Sequence, residues 1–201
     1  MDQIIDTYRT IESPSKGLFK DRGSRFIALA YPVKSVEEVK PILDSLRKEY
    51  HDARHHCYAY MLGAERIVWR ANDDGEPSGS AGRPILGQIN SAEITDILIV
   101  VIRYFGGTLL GVSGLINAYR TAAADALAGS TIVERRVCTI LHIKFPYIAM
   151  NDVMRILKEE EAGQSGQNFD SGCEMNISFP ASQGERIRSR LLKISGVAIA
   201  D

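Results

Sequence analysis

The chain has 201 residues, of which 45% are hydrophobic and 24% are charged, and its net charge is -1. This length and composition allow one or two domains with buried cores, and the balanced charge argues against a strongly basic nucleic-acid-binding protein. The cysteines, Cys57, Cys138 and Cys173, are odd in number and far apart, which argues against a disulfide framework or a thiolate zinc site and fits a reducing cytosol.

The first third of the chain alternates strand and helix patterns. A weak strand over residues 4–11 and a polar loop over 14–23 precede Phe26–Tyr31, an apolar run that predicts a buried strand. Ser35 and Glu38 then have the spacing of a capping box. Apolar residues recur after them at steps of three and four, so we predict a helix over 36–50.

The middle of the chain contains its most turn-rich and its most apolar stretches. Two strands over 56–61 and 66–70, joined by a turn, lead into an acidic Gly/Pro turn over 72–80. A short helix with Ile85 and Ile89 on one face follows, and then a β-branched central strand over 97–102. That run is far shorter than the ~20 residues of a membrane span. Because the N-terminus also lacks a signal-peptide pattern, we expect a cytoplasmic protein without a membrane partner.

A glycine-rich segment over 103–114 leads into an alanine-rich helix over 115–128, and Gly129 is a typical helix stop. After Gly129 the pattern restarts with strands over 137–145, 164–169, 173–179 and 197–200 and with helices over 147–161 and 182–194. This β-α-β-β-α-β order is that of a ferredoxin-like domain. We therefore predict an α+β protein of two domains, residues 1–132 and 133–201.

Several blocks of the first domain together resemble the signature of the YigZ/IMPACT family. They are Ser24-Arg25-Phe26 and residues 53–60, 73–77, 82–89, 100–107 and 110–111. One block alone matches easily by chance, whereas all of them in this order are specific. The resemblance implies an N-terminal domain of the kind shared by a ribosomal small-subunit protein and elongation factor G. It also implies a ferredoxin-like C-terminal domain similar to the last domain of that factor.

The eukaryotic relatives regulate translation by interfering with activation of a starvation-response kinase. They do so together with an additional N-terminal domain that these 201 residues do not contain. For this chain the resemblance therefore implies a link to translation or RNA, and that kinase pathway is not transferred to it.

The first candidate site is His55-His56-Cys57. Alternation along a strand places His55 and Cys57 on one face and His56 on the other. Same-face neighbours are ~6–7 Å apart, which is long for a Cys–His nucleophilic pair. Packing or hydrogen bonding is favoured over ligand binding, and we predict no catalytic residue.

The second candidate is the acidic turn with Asp73, Asp74, Glu76 and Ser80. Three carboxylates on such a turn can hold a hard cation or contact a protein partner, but Asp side chains in turns also bind their own backbone. Because no second acidic cluster completes a coordination shell, we favour the simple turn and predict no metal and no other cofactor.

The third candidate is the segment from Arg103 to Gly114, where exposed amides and a helix N-terminus favour anions. Arginines there suit phosphate, and aromatic side chains suit base stacking. The predicted anion or nucleic-acid site comprises Arg25, Arg103, Tyr104, Gly106, Gly107, Gly111, Gly114 and Arg120. The glycine spacing is not that of a P-loop or a dinucleotide fingerprint. The same glycines would equally serve tight turns and close helix–sheet packing.

Three functions follow as hypotheses. The first is a non-enzymatic translation- or stress-related regulator that binds RNA, the ribosome or a translation factor. The alternative is a small-molecule or phosphate-ester-binding enzyme with a cleft between His55, Asp73 and the Arg103–Gly114 segment. The third is a protein–protein adaptor, for which surface aromatic residues would matter more than glycines.

Overall fold

The computed structural model of the chain describes residues 6–169 and 172–200, and these contain five α-helices and eleven strands. The fold is therefore a mixture of α and β structure. Contacts divide the described residues into two units, one of residues 8–135 and one of residues 6–7 together with those from 136 onward. No helix of the described residues is long and apolar enough to cross a membrane.

Seven strands and three helices precede residue 137. The strands are β1 (Thr7–Ile11), β2 (Ser15–Asp21), β3 (Ser24–Pro32), β4 (His55–Leu62), β5 (Val68–Asn72), β6 (Ile97–Tyr104) and β7 (Ile132–Arg136). The helices are α1 (Val36–Glu49), α2 (Gly82–Ser91) and α3 (Gly111–Ala128). β1 pairs with β7, and the other five strands form one sheet in the order β2-β3-β6-β4-β5.

The apolar run of β6 forms the middle of this antiparallel sheet, as predicted for a central strand. Its side chains alternate between two cores. Ile99 and Val101 pack in the cluster that contains residues of α2 and α3. Val100 and Ile102 pack in the cluster that contains residues of α1. Burial on both faces stabilises the sheet by about 1.5–3 kcal/mol for each large apolar side chain.

The predicted polar loop over 14–23 is wrong, because Ser15–Asp21 is the edge strand β2. It forms a hairpin with β3, and the turn residues Arg22 and Gly23 both have positive φ. An inward-facing Gly17 lets α3 approach, since a Cβ there would lie 2.3 Å from the Ala126 nitrogen. Because glycine occupies an inward position, the strand lacks the apolar alternation by which strands are recognised.

The start of α1 also differs from the prediction. Ser35 is the N-cap residue, but its side chain makes no capping hydrogen bond to the described residues. The Glu38 carboxylate instead accepts a hydrogen bond from the backbone N–H of Lys34 at 3.0 Å. The capping-box spacing therefore marks the helix start without forming the capping box.

The second unit has the predicted order β-α-β-β-α-β. Its elements are β8 (Cys138–Phe145), α4 (Met150–Glu159), β9 (Gly163–Asn168), β10 (Cys173–Pro180), α5 (Gly184–Leu191) and β11 (Ala198–Ala200). The sheet order is β11-β8-β10-β9. Both helices are shorter than predicted, because a 3-10 turn precedes each and because they end at Glu159 and Leu191. Ser171, in the predicted turn before β10, lies outside the described residues.

Candidate functional site

One end of the main sheet brings together segments that are distant in the chain. Arg103, near the end of β6, lies opposite Phe26 of β3 and His55 of β4. The acidic turn reaches the same end, since His55 Nδ1 lies 2.8 Å from the carbonyl oxygen of Asp74. The β2–β3 turn reaches it too, because a Cβ at Gly23 would lie 2.8 Å from the Gly106 oxygen.

Beneath this end, Glu76 accepts hydrogen bonds from two side chains. Arg103 Nη1 donates to its Oε1 at 2.7 Å, and the Tyr119 hydroxyl donates to the same oxygen at 2.7 Å. His55 Nε2 lies 4.0 Å from that oxygen. The Glu76 side chain is only 3% exposed and that of Arg103 only 8%. This Glu76 cluster is therefore a buried ion pair with a tyrosine donor.

Tyr119 was missed by the sequence reasoning, which treated α3 as a packing helix. It is fully buried, and its ring packs edge-on against Phe26 at a centroid distance of 5.1 Å. A buried tyrosine hydroxyl needs a hydrogen-bond partner. A lone tyrosine on the alanine-rich face of α3 was the available signal.

Cys57 is held within the same region. Its Sγ lies 3.0 Å from the carbonyl oxygen of Asp73 and 3.3 Å from the Tyr119 hydroxyl. Burial raises the pKa of the Cys57 thiol well above its ordinary value, and burial also raises the pKa of Tyr119. Because the thiolate is the nucleophilic form, the buried Cys57 thiol is not activated as a nucleophile.

Asp73 organises the acidic turn. Its carboxylate accepts backbone N–H donors from three residues at 2.8–3.0 Å, and these are Gly79, Ala81 and Gly82. Two of these amides belong to the beginning of α2, where a carboxylate also complements the helix dipole. The carboxylate thus holds the turn against the helix. Ser80 closes the same turn by donating to the Pro77 oxygen at 2.6 Å.

Asp74 connects the acidic turn to β4 and α1. Its carboxylate accepts the His56 backbone N–H at 2.7 Å and lies 3.5 Å from Arg47 Nη2. Asp73 and Asp74 therefore bind protein donors, as does Glu76. Within residues 6–169 and 172–200, no group of three or more His, Cys, Asp or Glu side chains could hold a metal ion.

His56 points to the other face of β4. Burial lowers its pKa, and the nearby Asp74 carboxylate opposes that shift. Its Nε2 is buried without a hydrogen-bond partner among the described residues. The neutral form is therefore favoured in the folded chain.

The segment between β6 and α3 is the exposed part of this end. Together with the first turn of α3 it presents three apolar side chains to solvent, and their exposed fractions are 50% for Phe105, 80% for Leu109 and 52% for Val112. Gly107 and Gly111 have positive φ, which glycine adopts without strain. We call Phe105, Leu109 and Val112, together with Arg22 and Arg25, the loop surface.

Gly106 and Gly114 serve packing. Gly106 donates its N–H to Ser24 Oγ at 3.1 Å, and a Cβ there would lie 1.9 Å from the Gly23 carbonyl carbon. A Cβ at Gly114 would lie 3.0 Å from Leu110 Cβ. The glycines of the predicted site thus divide between turn formation and close packing.

The predicted arginines are in three different environments. Arg103 is buried with Glu76, and its Nε has no partner among the described residues. Arg25 is exposed and stacks 4.6 Å above the Tyr104 ring, whose hydroxyl donates to Asp52 at 2.7 Å. Arg120 is nine residues into α3, about 13 Å along the helix axis from its start. It is therefore remote from the first turn.

The first turn of α3 has no side-chain cap among the described residues. Its cap residue Leu110 has no side-chain acceptor, and no acidic residue follows in the first turn. Residues 111–113 are exposed. The first N–H groups of a helix have no partner within it, and among the described residues no capping side chain accepts from them.

The similarity of this chain to known proteins extends over the region that contains the candidate site. The Impact N-terminal domain model matches residues 22–127. IMPACT family member YvyE of Bacillus subtilis is 33% identical over 158 residues, 79% of this chain and 73% of the relative. IMPACT family member YigZ of Escherichia coli is 31% identical over 174 residues, 86% of this chain and 85% of the relative.

A solved structure of a hypothetical protein superposes with a TM-score of 0.73 at 28% identity, covering 98% of this chain and 97% of that one. Every residue of the predicted sites lies within the region matched by the Impact N-terminal domain model.

Proposed function

The chain belongs to the IMPACT family, and from this premise we propose that it is a non-enzymatic, translation-related regulator that binds RNA through the loop surface. The link to translation follows from what the family resemblance implies. The choice of RNA as the ligand follows from the side chains at the end of the main sheet. This RNA includes the RNA of the ribosome.

The observation that carries the proposal is the contrast between the loop surface and the residues beneath it. The ionisable side chains of the Glu76 cluster are buried and bonded to one another. Phe105, Leu109 and Val112 project into solvent. A site for chemistry needs reactive groups that a substrate can reach, whereas a binding surface needs exposed contact groups. At this end of the sheet the contact groups are exposed and the ionisable groups of the Glu76 cluster are buried, which is the arrangement of a binding surface.

The exposed groups suit single-stranded or looped RNA. An exposed aromatic ring such as Phe105 can stack on a base, a contact worth about 1–3 kcal/mol. Arg25 and Arg22 lie on the β2–β3 hairpin, whose Gly23 packs against Gly106, and arginine suits phosphate. The uncapped amides at the start of α3 add a second group of donors for phosphate oxygens.

Salt dependence gives the first test. The net charge of -1 argues against a positive field over the whole chain, so we expect only a few phosphate contacts, made by the two arginines and the helix start of the loop surface. Two or three contacts predict a slope of log affinity against log salt of about -1.5 to -3. Purified chain should bind ribosomes or structured RNA at low ionic strength, as measured by co-sedimentation and filter binding. Absence of binding at low salt would refute the proposal.

Matched variants give the second test. Arg25→Glu and Phe105→Ala should each weaken RNA binding by about tenfold, the cost of a lost stacking or charge-assisted contact. Arg155→Glu, on an exposed face of the second unit, controls for the change in net charge. Arg120→Ala should leave binding within about twofold, because Arg120 is remote from the first turn of α3. If only a translation factor is bound, or if Arg120→Ala matches Arg25→Glu, the proposed RNA surface is wrong.

A further inference from the structure

The first unit contains a cavity of about 300 Å³, and none of the described residues that line it is part of the loop surface. Four segments form the cavity: β1, the stretch from the end of β3 into α1, the residue before β6, and the end of β7. Small-molecule sites usually measure about 300–1,000 Å³. The cavity is therefore large enough for a small organic molecule and too small for a macromolecule.

The inner wall of the cavity combines apolar side chains with one buried charge. Ile11 and Val33 are at most 1% exposed, and Asp96 is 8% exposed. The Asp96 carboxylate forms no ion pair with a described residue. Carboxylates are rarely buried unless they are paired, because burial removes their hydration. The wall therefore carries a negative charge for which the described residues supply no counter-charge.

The hydroxyl hydrogens of this wall are already used within the protein. Thr10 Oγ1 donates to the Asp96 backbone oxygen at 3.2 Å. The Tyr8 hydroxyl donates to the Asp96 carboxylate, and burial together with this hydrogen bond raises the pKa of Tyr8. The N–H of Val33 donates to the Asp96 backbone oxygen at 3.0 Å, and that of Gly63 donates to Asp96 Oδ1 at 2.8 Å. Acceptor capacity is what remains, since a hydroxyl oxygen has two lone pairs and a carboxylate has about four.

We propose that the cavity binds the ammonium group of a small organic amine, held by the Asp96 carboxylate and by the hydroxyl oxygens of Tyr8 and Thr10. An ammonium group has three N–H donors and no acceptor, so it matches a wall of three acceptors. It also supplies the counter-charge that Asp96 lacks, through charge-assisted hydrogen bonds. An anion would instead meet acceptors and a buried negative charge. The apolar wall at Ile11 and Val33 suits the carbon chain of the amine.

The rim of the cavity is exposed and carries charges of both signs, since it includes Lys34, Arg135, Glu12 and Glu38. Arg135 lies close to the inner wall, because its positive charge opposes the rise in the pKa of Tyr8. Two classes of amine fit this rim. A diamine would place its second ammonium group on Glu12, and an α-amino acid would place its carboxylate on Arg135. The ammonium contact inside the cavity is common to both.

Calorimetric titration of the purified chain tests the ligand class. The probes are 1,4-diaminobutane and L-valine, and the controls at equal ionic strength are tetramethylammonium chloride and potassium chloride. Tetramethylammonium has the charge of an amine but no N–H group. At least one probe should bind saturably with a Kd below about 10 mM and should raise the midpoint of thermal unfolding. No saturable binding of either probe, or equal binding of a control salt, would overturn the proposal.

Asp96→Asn tests the counter-charge. Asparagine also adopts positive φ readily, as Asp96 does at 53°, and its amide oxygen can still accept the Gly63 N–H. Removing the charge should weaken binding of the probe by about tenfold or more. Asp125→Asn is the matched control and should bind like the wild type, since Asp125 accepts the Leu18 N–H and does not line the cavity. Unchanged affinity in Asp96→Asn would refute the role of Asp96.

NMR titration of the wild type locates the site even if Asp96→Asn does not fold. Addition of the probe should shift the amide signals of residues 8–12, 33–34 and 96, which contribute to the cavity. Shifts confined to other residues would overturn the assignment.

The rim variants identify the class of amine. If 1,4-diaminobutane binds, Glu12→Gln should weaken its binding and Arg135→Gln should not. For L-valine the expected order is reversed, and equal losses in the two variants would contradict the assigned rim contacts. The titrations contain no RNA, so their outcome and that of the RNA-binding test are independent.

Discussion

Glu76 is the carboxylate around which the buried polar groups of the first unit are arranged. It accepts hydrogen bonds from Arg103 of β6 and from Tyr119 of α3, and so connects the sheet to the helix that covers it. Removing one partner of a buried pair leaves the other charge without compensation. The Glu76 cluster should therefore act as a structural support beneath the loop surface.

Glu76→Gln should lower the free energy of unfolding by about 3–5 kcal/mol, the cost of breaking a buried ion pair. Urea titration monitored by circular dichroism measures this loss in the free energy of unfolding. Glu174→Gln is the matched control, since its partner Lys144 at 2.9 Å is 60% exposed, and exposed pairs contribute about 0–1 kcal/mol. Equal losses in the two variants would contradict the role given to Glu76.

His56 should make stability depend on pH. Burial lowers its pKa below the ordinary value of 6.5, so the unfolded chain takes up the proton at higher pH than the folded chain. The stabilising contribution is then complete above about pH 6.5 and is lost as pH falls through the lower folded pKa. The free energy of unfolding should decrease between pH 7 and pH 5 less in His56→Gln than in the wild type.

Urea titrations over that pH range measure the difference. His51→Gln, at an exposed position, should retain the wild-type pH dependence. A His56→Gln variant with an unchanged pH profile would show that the burial of His56 does not control this response.

At the scale of elements, β2 and α3 fit together through Gly17. A Cβ at that position would lie 2.3 Å from the backbone nitrogen of Ala126 and 2.8 Å from the Ala122 oxygen. Backbone cannot move aside as a flexible side chain can, so helix and strand would have to separate. The alanine-rich face of α3 serves the same close approach.

Gly17→Ala should therefore destabilise the first unit by about 3 kcal/mol or more, the range of severe overpacking. Gly87→Ala is the control, since no atom lies within 4 Å of a Cβ there. Within α2 that change should stabilise by about 0.5–1 kcal/mol, because alanine is the better helix former. Thermal unfolding of both variants measures the two changes in stability. Similar shifts of the midpoint temperature in the two variants would contradict the proposed packing.

The elements differed in how well their pattern predicted them. β6 was predicted because a long β-branched run is a local signal. β2 was missed because its inward face has Gly17 where an apolar side chain is expected. The reason for that glycine is the close approach of α3, which the local pattern does not contain. The extra strand β7 overlaps the predicted domain boundary after residue 132, and its pairing with β1 joins segments more than a hundred residues apart.

At the scale of the whole molecule, the second unit includes residues from the beginning of the chain. Val137 donates its backbone N–H to the Asp6 oxygen at 2.7 Å. The Ser182 hydroxyl donates to the Asp6 carboxylate, and the Ser182 backbone N–H donates to it at 2.8 Å. These two hydrogen bonds lower the pKa of Asp6. Asp6 is therefore a contact of the second unit despite its position in the sequence.

Asp6→Ala should accelerate hydrogen exchange in the turn before α5, because the two donors of Ser182 lose their carboxylate acceptor. The exchange of residues 8–135 should not change, since these residues form a separate unit. Hydrogen-exchange mass spectrometry measures both at once. Acceleration across both units, or in neither, would contradict the assignment of Asp6 to the second unit alone.

The amino-acid sequence by itself determined the central strand, the amphipathic helices and the β-α-β-β-α-β order, because each depends on a local period of apolar residues. It also determined the family, through short blocks in a fixed order. Only the tertiary structure decided that Arg103 is bound to Glu76 and that Tyr119 joins them, because those partners are 27 and 43 residues apart. Hydropathy patterns report which face is buried. They do not report which charged residue from a distant part of the chain forms an ion pair there.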